Sequence, residues 1–268
     1  MRTTVDEVAD GVYRIATFVP EVAPRGFTFN QFLLDAEEPL LYHTGMRSLF
    51  PVVSEAVASV LPLERLRWIA FSHVEADECG AVEQFLTAAP HASVAHGALG
   101  CQLSLDDMLS RPPVALTPGQ VLDLGGKELA ARAVRQVDTP HVPHNWESQV
   151  LFEETTRTLL CGDLGSQLGD PGPFAQGDLV TAAIETEHVF RASSLSSAVP
   201  QTLRRLADLH PEVLAVMHGG SARDGERTLR SLATAYEEEF PAMCLPGELA
   251  VPGQARPGAH TPLTAGQS

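Results

Sequence analysis

Positive charge is scarce in these 268 residues. Lys and Arg total 18 against 34 Asp and Glu, a formal net charge of −16 with a pI near 4.9. Nucleic acid and anionic membrane surfaces are both recognised by basic faces, so neither is an expected partner. Cysteine is sparse as well. Cys79, Cys101, Cys161 and Cys244 form no CxxC pair and no dense framework, which reads as reduced thiols in a cytoplasmic protein. No apolar run reaches the roughly 18 residues that a membrane span needs. The opening MRTTVDEVADGVYRIATF lacks the basic start and apolar core of a secretory leader. What is present is ordinary for a soluble domain with a sizeable core: 44% apolar and 19% charged residues.

Strand signals, rich in β-branched and aromatic side chains, fall at 12–17, 28–35 and 39–43. Helical spacing follows at 52–61, then an apolar strand at 67–73 that runs into polar residues. A helix near 80–89, a short strand at 93–96 and a loop at Pro112-Pro113 come next. Further strands are expected at 120–124, 128–134, 148–154, 157–163 and 212–218, with helices at 178–192, 198–209 and 222–239. Strand groups with interspersed helices are neither a pure βαβ run nor an all-β series. They predict an α/β sandwich of two mixed sheets packed face to face between helical layers. Residues 1–244 are expected to form this one domain. Residues 245–268, rich in Pro, Gly, Ala and Ser, are expected to be a disordered tail.

The most informative segment is Phe71-Ser72-His73-Val74-Glu75-Ala76-Asp77-Glu78-Cys79-Gly80. An apolar strand leads straight into side chains able to bind metal, and alternation sends His73, Glu75 and Asp77 to one side of an extended loop. A plainer reading makes this a polar loop opening a helix, with Asp77 as N-cap and Glu78 favoured by the helix dipole. Three further strand ends weigh against that reading, because each finishes in a possible ligand: His144 in TPHVPHNWES, Asp163 in LLCGDLGSQ and His218 in VLAVMHGG. Rigid strands that carry loops to one place are where binding groups collect.

This order resembles the metallo-β-lactamase superfamily, whose hydrolases show HxHxDH followed by His, Asp and His. Glu75 stands where the second histidine would be, as in the HxExDH motif of the flavodiiron proteins and the related oxygen-binding di-iron proteins. His144-Asn145-Trp146-Glu147-Ser148 is similar to that family's HWPDS, and Gly162-Asp163-Leu164-Gly165-Ser166-Gln167 to its NDAFGQ. The resemblance, over about residues 8 to 240, implies an αββα fold and a two-metal site. It implies that His73, Glu75 and His144 hold the first metal, that Asp77 and His218 hold the second, and that Asp163 bridges. Glu78 replaces the motif's last histidine and is either a carboxylate ligand of the second metal or a helix cap. Three histidines with three or four carboxylates favour iron over zinc, with manganese also compatible.

The implied activity is binding or reduction of a diatomic gas, O2 or NO, at a non-haem di-iron centre. The alternatives are a sensor without steady-state turnover and a di-zinc hydrolase of esters, lactones or phosphoesters. The sequence shows no phosphate-binding glycine loop and no βαβ units after the metal domain, so no FMN is expected on this chain. Electrons would then come from an external reductase. Flavodiiron relatives pair head to tail so that a partner's flavin reaches the metals; a homodimer is open here but not required. Around the site, His43 is a candidate hydrogen-bond partner of a ligand or a satisfied strand-end histidine, and His141 is an alternative ligand, a supporting neighbour or an exposed residue. Cys79 could touch the site. Phe27, Trp146 and Phe174 could wall a pocket above the metals, and Ser148 and Gln167 could orient ligands. His91, His96, His188, His210 and His260 have no motif support.

Overall fold

Alternation within the strands sets the layers. In β3 (Phe27–Leu34) the odd residues Phe27, Phe29 and Leu33 pack on one face of the sheet, while Phe32 and Leu34 point to the other. The same period puts Leu41 on the first face with Leu40 and Tyr42 on the second, in β4 (Leu40–Tyr42). The computed structural model describes residues 2–126, 131–194 and 196–241, and the expected tail at 245–268 lies outside them, as does Cys244.

The first sheet has the order β1 (Arg2–Ala9), β2 (Val12–Val19), β3, β4, β5 (Trp68–Ala70), β6 (Ser93–Gly97) and β7 (Val114–Leu116). It is antiparallel from β1 to β4 and parallel from β4 to β7. The second runs β13 (Ala222–Arg223), β12 (Val213–Ala215), β11 (Thr158–Leu160), β10 (Gln149–Glu153), β9 (Ala133–Asp138), β8 (Val121–Asp123). Only β11 and β12 are parallel there. Parallel neighbours require crossovers, and these place the helices outside. Helix Phe50–Ala58 covers the first sheet with Val82–Ala88; helices Leu179–Phe190, Ala198–Ala207 and Gly225–Glu239 cover the second. A third apolar layer, including Phe32, Tyr42, Leu151, Leu160 and Ala215, fills the space between the sheets. The two mixed sheets between helical layers are as expected from the sequence.

Several boundaries differ. Strand β1 was not expected, because RTTVDEVA is a half-exposed edge strand with little apolar alternation. Strand β7 follows Pro112-Pro113 instead of open loop, and a run of short helical turns occupies residues 98–108. The strand expected at 128–134 lies partly outside the described residues; the strand found there is β9, whose Gln136 points into the interior and blurs the period. Residues 222 and 223 form β13, so the last helix starts at Gly225. Among the described residues no helix is long and apolar enough to cross a membrane.

Candidate metal centre

Each candidate ligand sits just beyond a strand or at one end of the sandwich. His73 follows β5 by three residues, Asp163 follows β11 and His218 follows β12. Because β11 and β12 are parallel, their C-terminal ends share an edge, which brings Asp163 beside His218. His144 comes from the loop joining β9 to β10. At this edge the even positions of β3 turn polar. Asn30 Nδ2 donates to the carbonyls of Val216 and Gly219, and Thr28 Oγ1 accepts from Gly219 N at 2.6 Å, so the first sheet grips the His218 loop.

The donor atoms converge. One atom each from His73, Glu75, His144 and Asp163 lie within 4.8 Å of one another. Glu75 Oε2 is 2.8 Å from His73 Nε2 and 3.0 Å from His144 Nε2, and the two imidazole nitrogens are 2.9 Å apart. On the other side, His218 Nε2 lies 3.4 Å from Asp77 Oδ2 and 3.1 Å from Asp163 Oδ1. Asp163 spans the halves: its Oδ2 faces His144 at 3.5 Å and His73 at 3.8 Å.

Three observations fit this cluster to cations. All three histidines turn Nε2 inward and use Nδ1 outward, as ligating imidazoles do. His144 Nδ1 donates to the Ala192 carbonyl at 2.9 Å, His218 Nδ1 to the Thr28 carbonyl at 2.8 Å, and His73 Nδ1 lies 2.9 Å from Ser72 Oγ. Asp163 Oδ1 is buried, receives no well-aligned hydrogen bond, and has His218 Nε2 as a neighbour at 3.1 Å. The electrostatics also ask for positive charge. Burial disfavours the charged rings, but Glu78, Glu75 and Asp163 hold His73 up to about 10, and Asp163 with Asp77 does the same for His218. Hydrogen bonds from His144 and His73 hold Glu75 down to about 2. Burial pushes Asp163 up, and the three histidines outweigh it, keeping the carboxyl well below its usual range. A dication supplies the charge these protons supply, so binding would release protons.

The remaining expectations divide. Glu78 is fully buried and its side chain neither caps the helix nor points at the cluster; it accepts from the backbone of Ser72 and His73. His43 is also fully buried, with Nδ1 3.4 Å from the Asn30 carbonyl and Nε2 3.5 Å from Glu78, and burial lowers it to about 3. It therefore touches Glu78 and none of the clustered donors. His141 is exposed and stands apart from the cluster. Ser148 braces the His144 loop through the Val142 carbonyl, and Gln167 ties the Asp163 loop to Gly220. Cys79 Sγ is directed at the Glu75 carbonyl within the apolar layer, away from the donors. A cavity of about 680 Å³ opens over the cluster, walled by Val22, Phe27, Phe29, Leu164, Phe190 and Tyr236. Of the three aromatics expected there, only Phe27 takes part. Trp146 lines a separate cleft beside Leu99, and Phe174 is covered by the Arg223 guanidinium. Sequence reading missed Ser72, the ring contact of Phe27 on His218 at 4.1 Å, and Glu147, which accepts from Val74 N at 2.9 Å. Glu147 had a signal, its place in the HNWES segment; the Thr28 and Ala192 carbonyls have none.

The chain is 25% identical over 202 residues to putative diflavin flavoprotein A 1 of Nostoc sp. (strain PCC 7120), covering 72% of this chain and 33% of that protein. It is 21% identical over 207 residues to the rubredoxin-oxygen oxidoreductase of Megalodesulfovibrio gigas, covering 74% and 50%. The chain thus spans a third to a half of these relatives. Among solved structures, the metal-soaked Flv1 flavodiiron core of Synechocystis sp. PCC6803 superposes with a TM-score of 0.77 at 19% identity, over 90% of this chain and 62% of that one. A fragment (1–254) of putative diflavin flavoprotein A 5 from Nostoc sp. PCC 7120 gives 0.74 at 14% identity, over 90% and 96%. These superpositions establish a shared fold. The family model described as ODP family beta lactamase matches residues 27–219, the stretch that holds every clustered donor, and the chain belongs to that family.

Proposed function

We propose that this domain holds two iron ions, one among His73, Glu75, His144 and Asp163 and one among Asp77, His218 and Asp163, and that it binds or reduces O2 or NO. The observation that carries this reading is Glu75, whose carboxylate touches both His73 and His144. It turns a histidine-rich pocket into one of three imidazoles and three carboxylates, a harder donor set that suits iron better than zinc. When bound, adjacent ferrous ions supply one electron each. The chain's own residues orient and enclose. Outward Nδ1 contacts keep three Nε2 atoms on the donor cluster, Asp163 spans its two sides, and the largely apolar wall of the cavity suits an uncharged gas. Electrons come from a donor outside this domain; the names of the relatives, a rubredoxin-oxygen oxidoreductase and diflavin flavoproteins, support a redox role.

The test is anaerobic loading with ferrous iron, followed by metal analysis and by O2 or NO consumption with a chemical reductant. Two irons per chain and consumption of either gas are expected. The cavity favours one other reading: about 680 Å³ exceeds what a diatomic molecule needs and lies within the range for organic ligands. A zinc-loaded protein that hydrolyses a chromogenic ester or lactone, with no preference for iron in competition, would replace the gas reading with that of a metal-dependent hydrolase.

A further inference from the structure

Glu78 occupies the position where HxExDH proteins have their last histidine, yet its carboxylate is turned away from the cavity. Oε2 accepts from the backbone N–H of Ser72 and of His73, both at 2.8 Å, and Oε1 accepts from the Ser72 hydroxyl. Ser72 Oγ lies 2.9 Å from His73 Nδ1. A serine hydroxyl has one proton to give. While Glu78 takes it, Ser72 can only accept from His73, which must then carry its proton on Nδ1 and present the Nε2 lone pair to the cluster. His144 and His218 receive the same instruction from backbone carbonyls, which can only accept. His73 alone of the three is backed by side chains: the Ser72 hydroxyl, which could equally donate, and, at 3.3 Å, Glu78 Oε1 itself. Gly162 keeps room for the arrangement: its φ is +55°, and a Cβ there would stand 2.3 Å from Ser72 Oγ and 3.5 Å from Glu78 Oε1.

We propose that Glu78 is a positioning residue that fixes the tautomer of His73 through Ser72, and not a metal ligand. The inference rests on the two-metal reading above. Its consequence is asymmetry: the Asp77–His218 side has one protein donor fewer than the His73–Glu75–His144 side, with Asp163 common to both, and so is the more open to a ligand from the cavity.

The substitution Glu78→Gln inverts the relay. A glutamine can keep its oxygen on the two N–H groups, but its amide nitrogen then donates to Ser72 Oγ. The hydroxyl turns its proton to His73 Nδ1, and Nε2 becomes protonated and blocked. The experiment measures ferrous iron affinity, against a competing chelator under anaerobic conditions, in two single-site backgrounds of the full chain. His218→Ala leaves the His73 side, and His144→Ala leaves the Asp77–His218 side. Adding Glu78→Gln, or Ser72→Ala, to His218→Ala is expected to weaken binding about 10–100-fold, the usual effect of losing a partner behind a ligating histidine. Adding both should do no more than Glu78→Gln alone, because the two act in series. Neither should change the affinity in His144→Ala by more than about threefold, because Glu78 and Ser72 contact each other and His73, and not Asp77, His218 or Asp163. Loss of binding in His144→Ala on adding Glu78→Gln would make Glu78 a ligand and overturn the inference. Equal weakening in both backgrounds would reduce Glu78 to a general structural role and overturn it too. A wild-type chain that binds fewer than two ions would overturn the two-metal reading itself, and the inference with it.

Discussion

The two sides of the donor cluster are built by different means. On one side stand His73, Glu75 and His144, numerous but locally supported. The His73 ring is backed by side chains, His144 is 25% exposed on a loop, and the Glu75 side chain is 49% exposed. On the other, Asp77 and His218 are fewer but held by the fold. His218 is backed by the main chain of β3, stacked on Phe27 at 4.1 Å and edged by Phe29. Donor number and rigidity are thus divided between the sides. Affinity on the first should respond to mutation of polar supports, and on the second to packing.

The largest effect is expected at the residue the two sides share. Asp163→Ala should abolish binding of both ions, read as metal content after loading and desalting. One ion retained, as in His218→Ala, would mean that Asp163 serves a single side. Next in size, His218→Ala and His144→Ala should each leave about one ion per chain by the same assay, since their partners come from separate segments. Loss of both ions from either would erase the distinction between the sides. Gly162→Ala bears on the first side alone. Its φ of +55° and the 2.3 Å approach of a Cβ to Ser72 Oγ should cost about 2–4 kcal/mol in urea unfolding of the metal-free chain, adding backbone strain to overpacking. A cost below about 0.5 kcal/mol, the range of an unremarkable surface change, would show that Ser72 has freedom to move. The smallest effect belongs to the second side. Phe27→Leu keeps an apolar wall but removes the stacked ring, worth about 0.5–1.5 kcal/mol, so iron affinity in the His144→Ala background should fall several-fold. If affinity fell instead in His218→Ala, the assignment of packing support to His218 would fail.

Much of this architecture is legible in the chain. The period-2 alternation of FTFNQFLL and LLY reports faces, and the order His73-x-Glu75-x-Asp77, His144, Asp163, His218 reports donors, although His144 lies within the β9–β10 loop and not at the strand end expected for it. The elements that escape sequence reading are those whose pattern is overridden by context. β1 is an exposed edge strand, β13 spans two residues, and β9 buries Gln136 where an apolar residue would mark the face. The aromatics teach the same lesson. Phe27, Trp146 and Phe174 look alike on loops and strand starts, and only the packing of the helix Leu179–Phe190 decides that Phe27 faces the cavity.

By itself the sequence determined the kinds of donor, their order and, His144 excepted, the strand ends that present them, because residue identity and hydrophobic period are local properties. It also carried the departure at Glu78. Only the tertiary structure decided which nitrogen of each ring faces inward, that the two oxygens of Asp163 are shared between two sides, and that Glu78 turns back on Ser72 and His73. The reason is physical. A ring's orientation is set by what lies behind it, and behind His218 lies a carbonyl on β3, separated from it by 190 residues and brought close only when the sheets pack.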